Sequence, residues 1–78
     1  MEDLNYSAAD LDPGEIGTVQ TIRGDRPLTQ RLFELGFMPG IQIRCLGVGM
    51  GGSPIRIEID GRSTYALRRV EAEGVILS

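Results

Sequence analysis

Apolar and polar residues alternate along several short stretches of the chain, as in β-strands with one buried face. The clearest is residues 55–59, where an arginine and a glutamate separate three isoleucines. Residues 41–45 repeat the alternation, and the apolar parity then changes, which predicts a bulge near Leu46-Gly47. Residues 16–23 are rich in β-branched side chains and stop at a glycine, which predicts a first strand.

Between the first and second predicted strands the apolar period becomes that of a helix. Leu28, Leu32 and Leu35 recur at i, i+4 and i+7, so they share one helical face. The helix is expected to begin near Pro27, which the first turn tolerates, with Asp25 as its cap. A helix this short needs tertiary contacts, so we expect the leucine face to pack on a sheet.

The end of this helix is marked by glycine and proline. Gly36 follows the last periodic residue, where a left-handed conformation closes a helix without strain. Phe37 is expected to fold back on the last turn. Pro39 and Gly40 then form a turn in which Gly40 supplies the positive φ of a type II turn.

A hairpin is predicted at Asp60-Gly61. An odd-length loop puts the isoleucines of residues 55–59 on the same face as Ser63, Tyr65 and Leu67, whereas an even loop reverses the register. We therefore predict the odd loop, with Gly61 at positive φ. A short turn over residues 68–72 and a closing strand over residues 74–77 complete the pattern.

About five short strands with one short helix after the first predict a mainly β fold, namely a small SH3-like barrel rather than a sandwich. A turn signal at residues 11–14 marks the expected start of this domain, which would span residues 11–78. Residues 1–10 are interpreted as a flexible acidic leader.

Charge is distributed unevenly. The net charge is -3, but the first fifteen residues hold five acids and no base, which leaves eight arginines against six acids, or +2, in the rest. No apolar run approaches the roughly 20 residues of a membrane span, and the acidic start is unlike a signal peptide. These features predict a cytoplasmic chain.

The residue composition gives little support to a catalytic or a metal-binding function. The chain has no histidine, and its single cysteine, Cys45, lies on the expected core side of a strand, so no nucleophile and base pair can be assembled. Asp10, Asp12 and Glu15 could bind a hard cation only if the leader were ordered. We expect no enzyme activity, no cofactor and no metal site.

The glycines of residues 49–52 do not form a phosphate loop, because no Lys-Ser/Thr pair or helix follows them. A flexible hairpin connection is the simpler interpretation. Nucleic-acid binding would depend on Tyr65 with Arg56 and Arg62, but Tyr65 alternates with Leu67 and is expected in the core.

Protein binding is the function that remains. Arg44 and Arg56 lie on the polar sides of two consecutive strands, and a hairpin would join them into one basic patch. Met50 at the loop tip and Phe33 on the outer helix face offer apolar contact. The alternative is that all four are ordinary surface residues.

Three segments together resemble the ferrous iron transport protein A (FeoA) family: residues 32–40, the glycine-rich loop that ends at Pro54, and residues 66–72. The resemblance covers residues 11–77. It implies an SH3-like barrel and a cytosolic accessory protein of FeoB, a membrane transporter with a GTP-binding domain. Two alternatives stay open, a self-associating regulatory domain like the one that closes some iron-dependent repressors, and a small RNA-binding barrel. The oligomeric state and the direction of any effect on transport also stay open.

Overall fold

Five antiparallel strands form one sheet in the order β4-β3-β2-β1-β5 in the computed structural model, which describes residues 6–78. The mainly β architecture with one helix after the first strand is confirmed. The elements in chain order are β1 Ile16–Ile22, α1 Arg26–Leu35, β2 Gln42–Val48, β3 Ile55–Ile59, β4 Ser63–Leu67, α2 Arg69–Ala72 and β5 Val75–Leu77. Short 3₁₀ turns at Ala8–Asp10 and Met50–Gly52 complete the list.

Both predicted ends of α1 are confirmed. The Asp25 carboxylate accepts a hydrogen bond from the Leu28 N–H at 3.0 Å, which satisfies one of the free donors of the first turn. Gly36 has φ 109° and closes the helix in the left-handed region. In the turn that follows, the Ile41 N–H donates to the Met38 carbonyl at 3.0 Å, and Gly40 has φ 92°.

The leucine face of α1 is buried unequally. Leu32 is completely buried, while Leu28 and Leu35 are half-buried and pack against the edge of the core. Phe37 folds back as expected, is completely buried, and donates its N–H to the Leu32 carbonyl. The other fully or almost fully buried apolar residues are Ala8, Leu11, Val19, Ile43, Cys45, Ile55, Ile57, Ile59, Leu67, Ala72, Val75, Ile76 and Leu77.

The two predicted irregularities of the sheet are confirmed. The register of β2 against β3 shifts between Cys45 and Gly47, which is the expected bulge. In the β3–β4 hairpin Ile59 pairs with Ser63, so the loop has an odd length, and Gly61 has φ 69°. Asp60 also adopts positive φ, at 52°, which the sequence did not indicate.

The amino-terminal side differs from the expected leader. Ser7 and Asp10 form a capping box around the turn Ala8–Asp10, and Ala8 is completely buried. Ser7 forms a β-bridge with Ile76 of β5. Packed structure therefore begins before the predicted domain start at residue 11. The prediction missed it because Ile76, the partner of Ser7, is far from it in the sequence. Residues 1–5 of the expected leader lie outside the described residues.

Candidate functional site

Arg44 and Arg56 both lie on the exposed face of the β2–β3 hairpin, but they do not form a purely basic patch. Arg44 is paired across the strands with Glu58, and its Nε lies 3.9 Å from the Glu58 Oε1. Arg56 is paired with Gly47, beyond the bulge. Glu58 therefore offsets one of the two positive charges, which corrects the sequence-based expectation.

Arg56 keeps its charge available. Its guanidinium lies over Gly47, where an added Cβ would come within 3.1 Å of Nη2. Among residues 6–78 it forms no ion pair within 4.0 Å. The hairpin face thus presents one uncompensated cation beside one partly compensated pair.

An exposed isoleucine adds apolar surface next to Arg44. Ile16 of β1 is paired with Arg44 and is 47% exposed. Together with Gln42, Glu58 and Gly61, these two residues line a shallow depression of about 90 Å³. This neighbour was not predicted, since the pairing of β1 with β2 brings together residues far apart in the chain.

Among residues 6–78, Met50 is the most exposed large apolar side chain, at 98%. Its loop differs from the expected flexible connection, because the Gly49 N–H donates to the Pro54 carbonyl at 2.8 Å and closes the turn. The Arg69 N–H then donates to Ser53 Oγ at 3.3 Å. The loop that presents Met50 is therefore tied to the start of α2.

Two further exposed apolar side chains lie on the helices. Phe33 of α1 is 46% exposed, as expected for an outer face, and Val70 of α2 is 60% exposed. Pro27, Leu28 and Val70 contribute the apolar lining of a groove between the helices, which charged residues also line. Val70 was missed in the sequence, because α2 is too short to show a helical period.

Glu71 is the buried charge that joins the two helices. It is only 4% exposed, and its Oε1 accepts the Arg68 N–H at 2.8 Å. Its Oε2 lies 3.0 Å from Arg31 Nε on α1. A buried carboxylate needs such partners, so this side chain holds α2 and α1 in place.

Replacing Glu71 by alanine should lower the free energy of unfolding by about 1–3 kcal/mol, because the Arg68 N–H loses its acceptor and Arg31 loses its partner. Urea unfolding followed by circular dichroism measures the change. Glu73→Ala is the matched control, since its ion pair with Arg69 is solvent-exposed and should contribute less than about 1 kcal/mol. Equal losses in the two variants would contradict this structural role.

Two of the three acids of the conditional metal site, Asp10 and Glu15, accept hydrogen bonds from nearby backbone N–H groups. The Ser7 N–H donates to Asp10 at 2.9 Å, and the Asp12 N–H donates to Glu15 at 2.7 Å. Burial, followed by the charges of Glu15, Asp10 and Asp12, raises the pKa of Tyr6 above its ordinary value. Within residues 6–78, no three His, Cys, Asp or Glu side chains converge as metal ligands.

Cys45 and Tyr65 both belong to the interior rather than to a reactive or stacking surface. Cys45 is completely buried. Tyr65 is half-buried, and its ring centroid lies 6.4 Å from that of Phe37. A ring held in this way is poorly placed to stack on a base, which weakens the RNA-binding alternative.

In the part of the chain described, no helix has the length and hydropathy that crossing a membrane requires.

Comparison with known proteins identifies related sequences and structures. The model of the FeoA domain matches residues 7–78. FeoA of Stenotrophomonas maltophilia, solved with zinc, is 26% identical with a TM-score of 0.81, over 94% of this chain and 89% of that one. It is described as an SH3 domain protein and a potential activating factor of bacterial ferrous iron transport. An iron uptake regulatory protein (FeoA) is 28% identical with a TM-score of 0.79, over 90% and 91% of the two chains.

A manganese-dependent transcriptional repressor bound to manganese shares the fold at lower identity. The identity is 19% and the TM-score 0.86, and the match covers 99% of this chain but 37% of the repressor. At this identity the likeness shows the fold alone. No curated protein sequence matches at a significant level. The predicted SH3-like fold is thus confirmed by several independent structures.

Proposed function

The chain belongs to the FeoA family, and on this premise we propose that it is a non-enzymatic cytosolic accessory module of ferrous iron uptake. It docks on the cytosolic part of a FeoB-type transporter and modulates transport. The description of the Stenotrophomonas relative as a potential activator of ferrous iron transport supports this assignment. The buried Cys45 agrees with a role in binding rather than catalysis.

The observation that carries the proposal is the presentation of Met50. A methionine that is 98% exposed contributes nothing to the core, and burying it on a partner would gain about 25 cal/mol per Å² of apolar surface. Its unbranched side chain adapts to irregular pockets. Because hydrogen bonds already close the loop, little backbone order has to be created on docking.

Modulation requires a preference among conformations of the transporter. A bound module shifts an equilibrium only by the difference between its affinities for the two states. The combination of Met50 with Arg44 and Arg56 suits such a role. Met50 supplies affinity, while the two arginines select acidic counterparts.

We expect Met50→Ser to weaken docking on the purified cytosolic part of the transporter at least about tenfold. A tenfold loss corresponds to about 1.4 kcal/mol, and central apolar anchors contribute about 2 kcal/mol or more each. Isothermal titration calorimetry measures the affinity. Met38→Ser is the matched control, because Met38 is 53% exposed but lies in the turn after α1. Equal effects of the two substitutions would remove Met50 from the interface.

The charge contribution is tested separately. Arg44→Glu combined with Arg56→Glu should weaken docking on an acidic partner and leave the fold intact, because both side chains are exposed. The melting temperature should fall slightly, since the substitution at position 44 places a second carboxylate opposite Glu58. Unaltered affinity would exclude this face from the interface.

Unchanged ferrous iron uptake after deletion of the gene would overturn the proposed function itself. A pull-down that recovers a repressor and no transporter would favour the regulatory alternative.

A further inference from the structure

The two edge strands of the sheet differ in whether another segment of the described chain pairs with them. At the β5 edge, Ser7 forms a bridge with Ile76, and the Leu77 N–H donates to the Tyr6 carbonyl at 2.9 Å. At the opposite edge, β4 pairs only with β3. The chain therefore covers one edge with its own amino-terminal side and leaves the other without a neighbour among the described residues.

The register shows which backbone groups of β4 are free. The Asp60 N–H donates to the Gln42 carbonyl on β2, so the even-numbered residues of β3 bond β2 and the odd-numbered ones bond β4. Ile57 is paired with Tyr65, which places Tyr65 on the bonded side. The N–H and C=O groups of Thr64 and Ala66 consequently point away from the sheet.

Nothing in β4 protects this edge. Natural edge strands usually carry a charge, a proline or a bulge that prevents pairing with another chain. β4 has the sequence Ser-Thr-Tyr-Ala-Leu, and its register against β3 is uninterrupted. Ser63, Thr64 and Ala66 are all exposed. An added strand would meet small, uncharged side chains and free backbone groups.

We propose that the β4 edge binds an extended acidic segment of a partner protein as an additional strand. Arg62 directly precedes β4 and has no ion pair within residues 6–78. Arg68 directly follows β4, and its side chain is 78% exposed with only a 3.8 Å contact to Glu71. The edge is thus bracketed by two cations, which acidic residues at the ends of an added strand would complement.

The same charges argue against a second copy of this chain as the occupant. If two β4 strands paired antiparallel about Tyr65, Thr64 would face Ala66 of the other copy. Arg62 would then lie opposite Arg68 at each end of the pairing. Like charges placed directly opposite destabilise a strand pair. The proposal goes beyond the assigned transport role, since it concerns another surface and holds whichever protein supplies the segment.

The first test uses a synthetic peptide with the sequence Glu-Glu-Val-Thr-Val-Glu-Glu and a counterpart in which lysine replaces every glutamate. In ¹⁵N-labelled protein, the acidic peptide should shift the amide signals of Thr64 and Ala66 and slow their hydrogen exchange. It should bind at least about tenfold more tightly than the lysine peptide. Absence of binding at millimolar concentration, or shifts confined to other residues, would overturn the proposal.

Ala66→Pro provides a specific test, because it removes a free N–H that the β3 pairing does not use, and proline is tolerated at such an edge position. Binding of the acidic peptide should fall at least about tenfold. Ala66→Val is the matched control, since it keeps the N–H and should bind like the parent protein. Equal binding by both variants would overturn the proposal.

Arg62→Glu gives a second test that does not alter the strand, because Arg62 lies in the exposed hairpin loop. It should remove most of the preference for the acidic over the lysine peptide, because one cation, Arg68, and one anion then flank β4. Sedimentation that shows dimers through β4 would instead identify a second copy as the occupant and overturn the acidic-segment proposal. Loss of transporter docking in Met50→Ser is read out independently, so this proposal and the proposed function can fail separately.

Discussion

Replacing Leu32 by alanine should lower the free energy of unfolding by about 2–5 kcal/mol. Leu32 is completely buried between α1 and the sheet, so the substitution removes apolar contacts and leaves a cavity. A domain of this size has a total stability of only about 4–12 kcal/mol, so the loss would be a large part of it. Urea unfolding at constant m-value measures the change directly.

Leu28→Ala and Leu35→Ala are the matched controls on the same helix. Both side chains are half-buried, so less apolar surface is lost and water can fill the space. We expect each of them to cost less than about 2 kcal/mol, in proportion to the area buried. Equal losses at all three positions would mean that the leucine face is buried evenly and that the described packing of α1 is incorrect.

These three leucines show what periodicity can and cannot predict. Spacing along the helix identifies the face that turns inward, and that prediction is confirmed. Spacing does not show how far the sheet extends under the helix. That extent determines how deeply each leucine is buried, so Leu32 is completely buried while Leu28 and Leu35 lie at the margin. The extent of burial depends on residues distant in the chain.

The hairpin over β3 and β4 was predictable because its information is local. The alternation of Ile55, Ile57 and Ile59 sets the inner face, and parity with Tyr65 then requires an odd loop, which Gly61 can form. In contrast, Asp60 at positive φ was not predicted, since an aspartate gives only a weak signal for the left-handed region.

The candidate site was only partly predictable. The exposure of Met50 and Phe33 follows from local pattern, and both are exposed as expected. The neighbours of Arg44 and Arg56 depend on the register across a long glycine-rich connection, which places Glu58 rather than Arg56 opposite Arg44. Periodicity along one strand does not determine that register, so the positive charge of the face was overestimated.

The open edge and the packed amino-terminal side were missed for a common reason. Ser7 is ordered by a bridge to Ile76, a contact between the two ends of the chain. Only the full strand order shows that this contact covers β5 and that, within residues 6–78, no other segment covers β4 in the same way. Alternation identifies strands, but it does not say which of them lie at the edges of the sheet.

Replacing Phe37 by alanine should have the largest effect on stability, with a loss of about 3–5 kcal/mol. Phe37 is completely buried, donates its N–H to the Leu32 carbonyl, and contacts the Tyr65 ring. It thus joins the end of α1 to β4, directly after the cap at Gly36. At about 4–8 °C per kcal/mol for such a domain, the melting temperature should fall by at least about 12 °C. Phe37→Leu, which refills most of the volume, should recover much of this loss, and a fall of less than about 4 °C in the alanine variant would show that the ring is not part of the core.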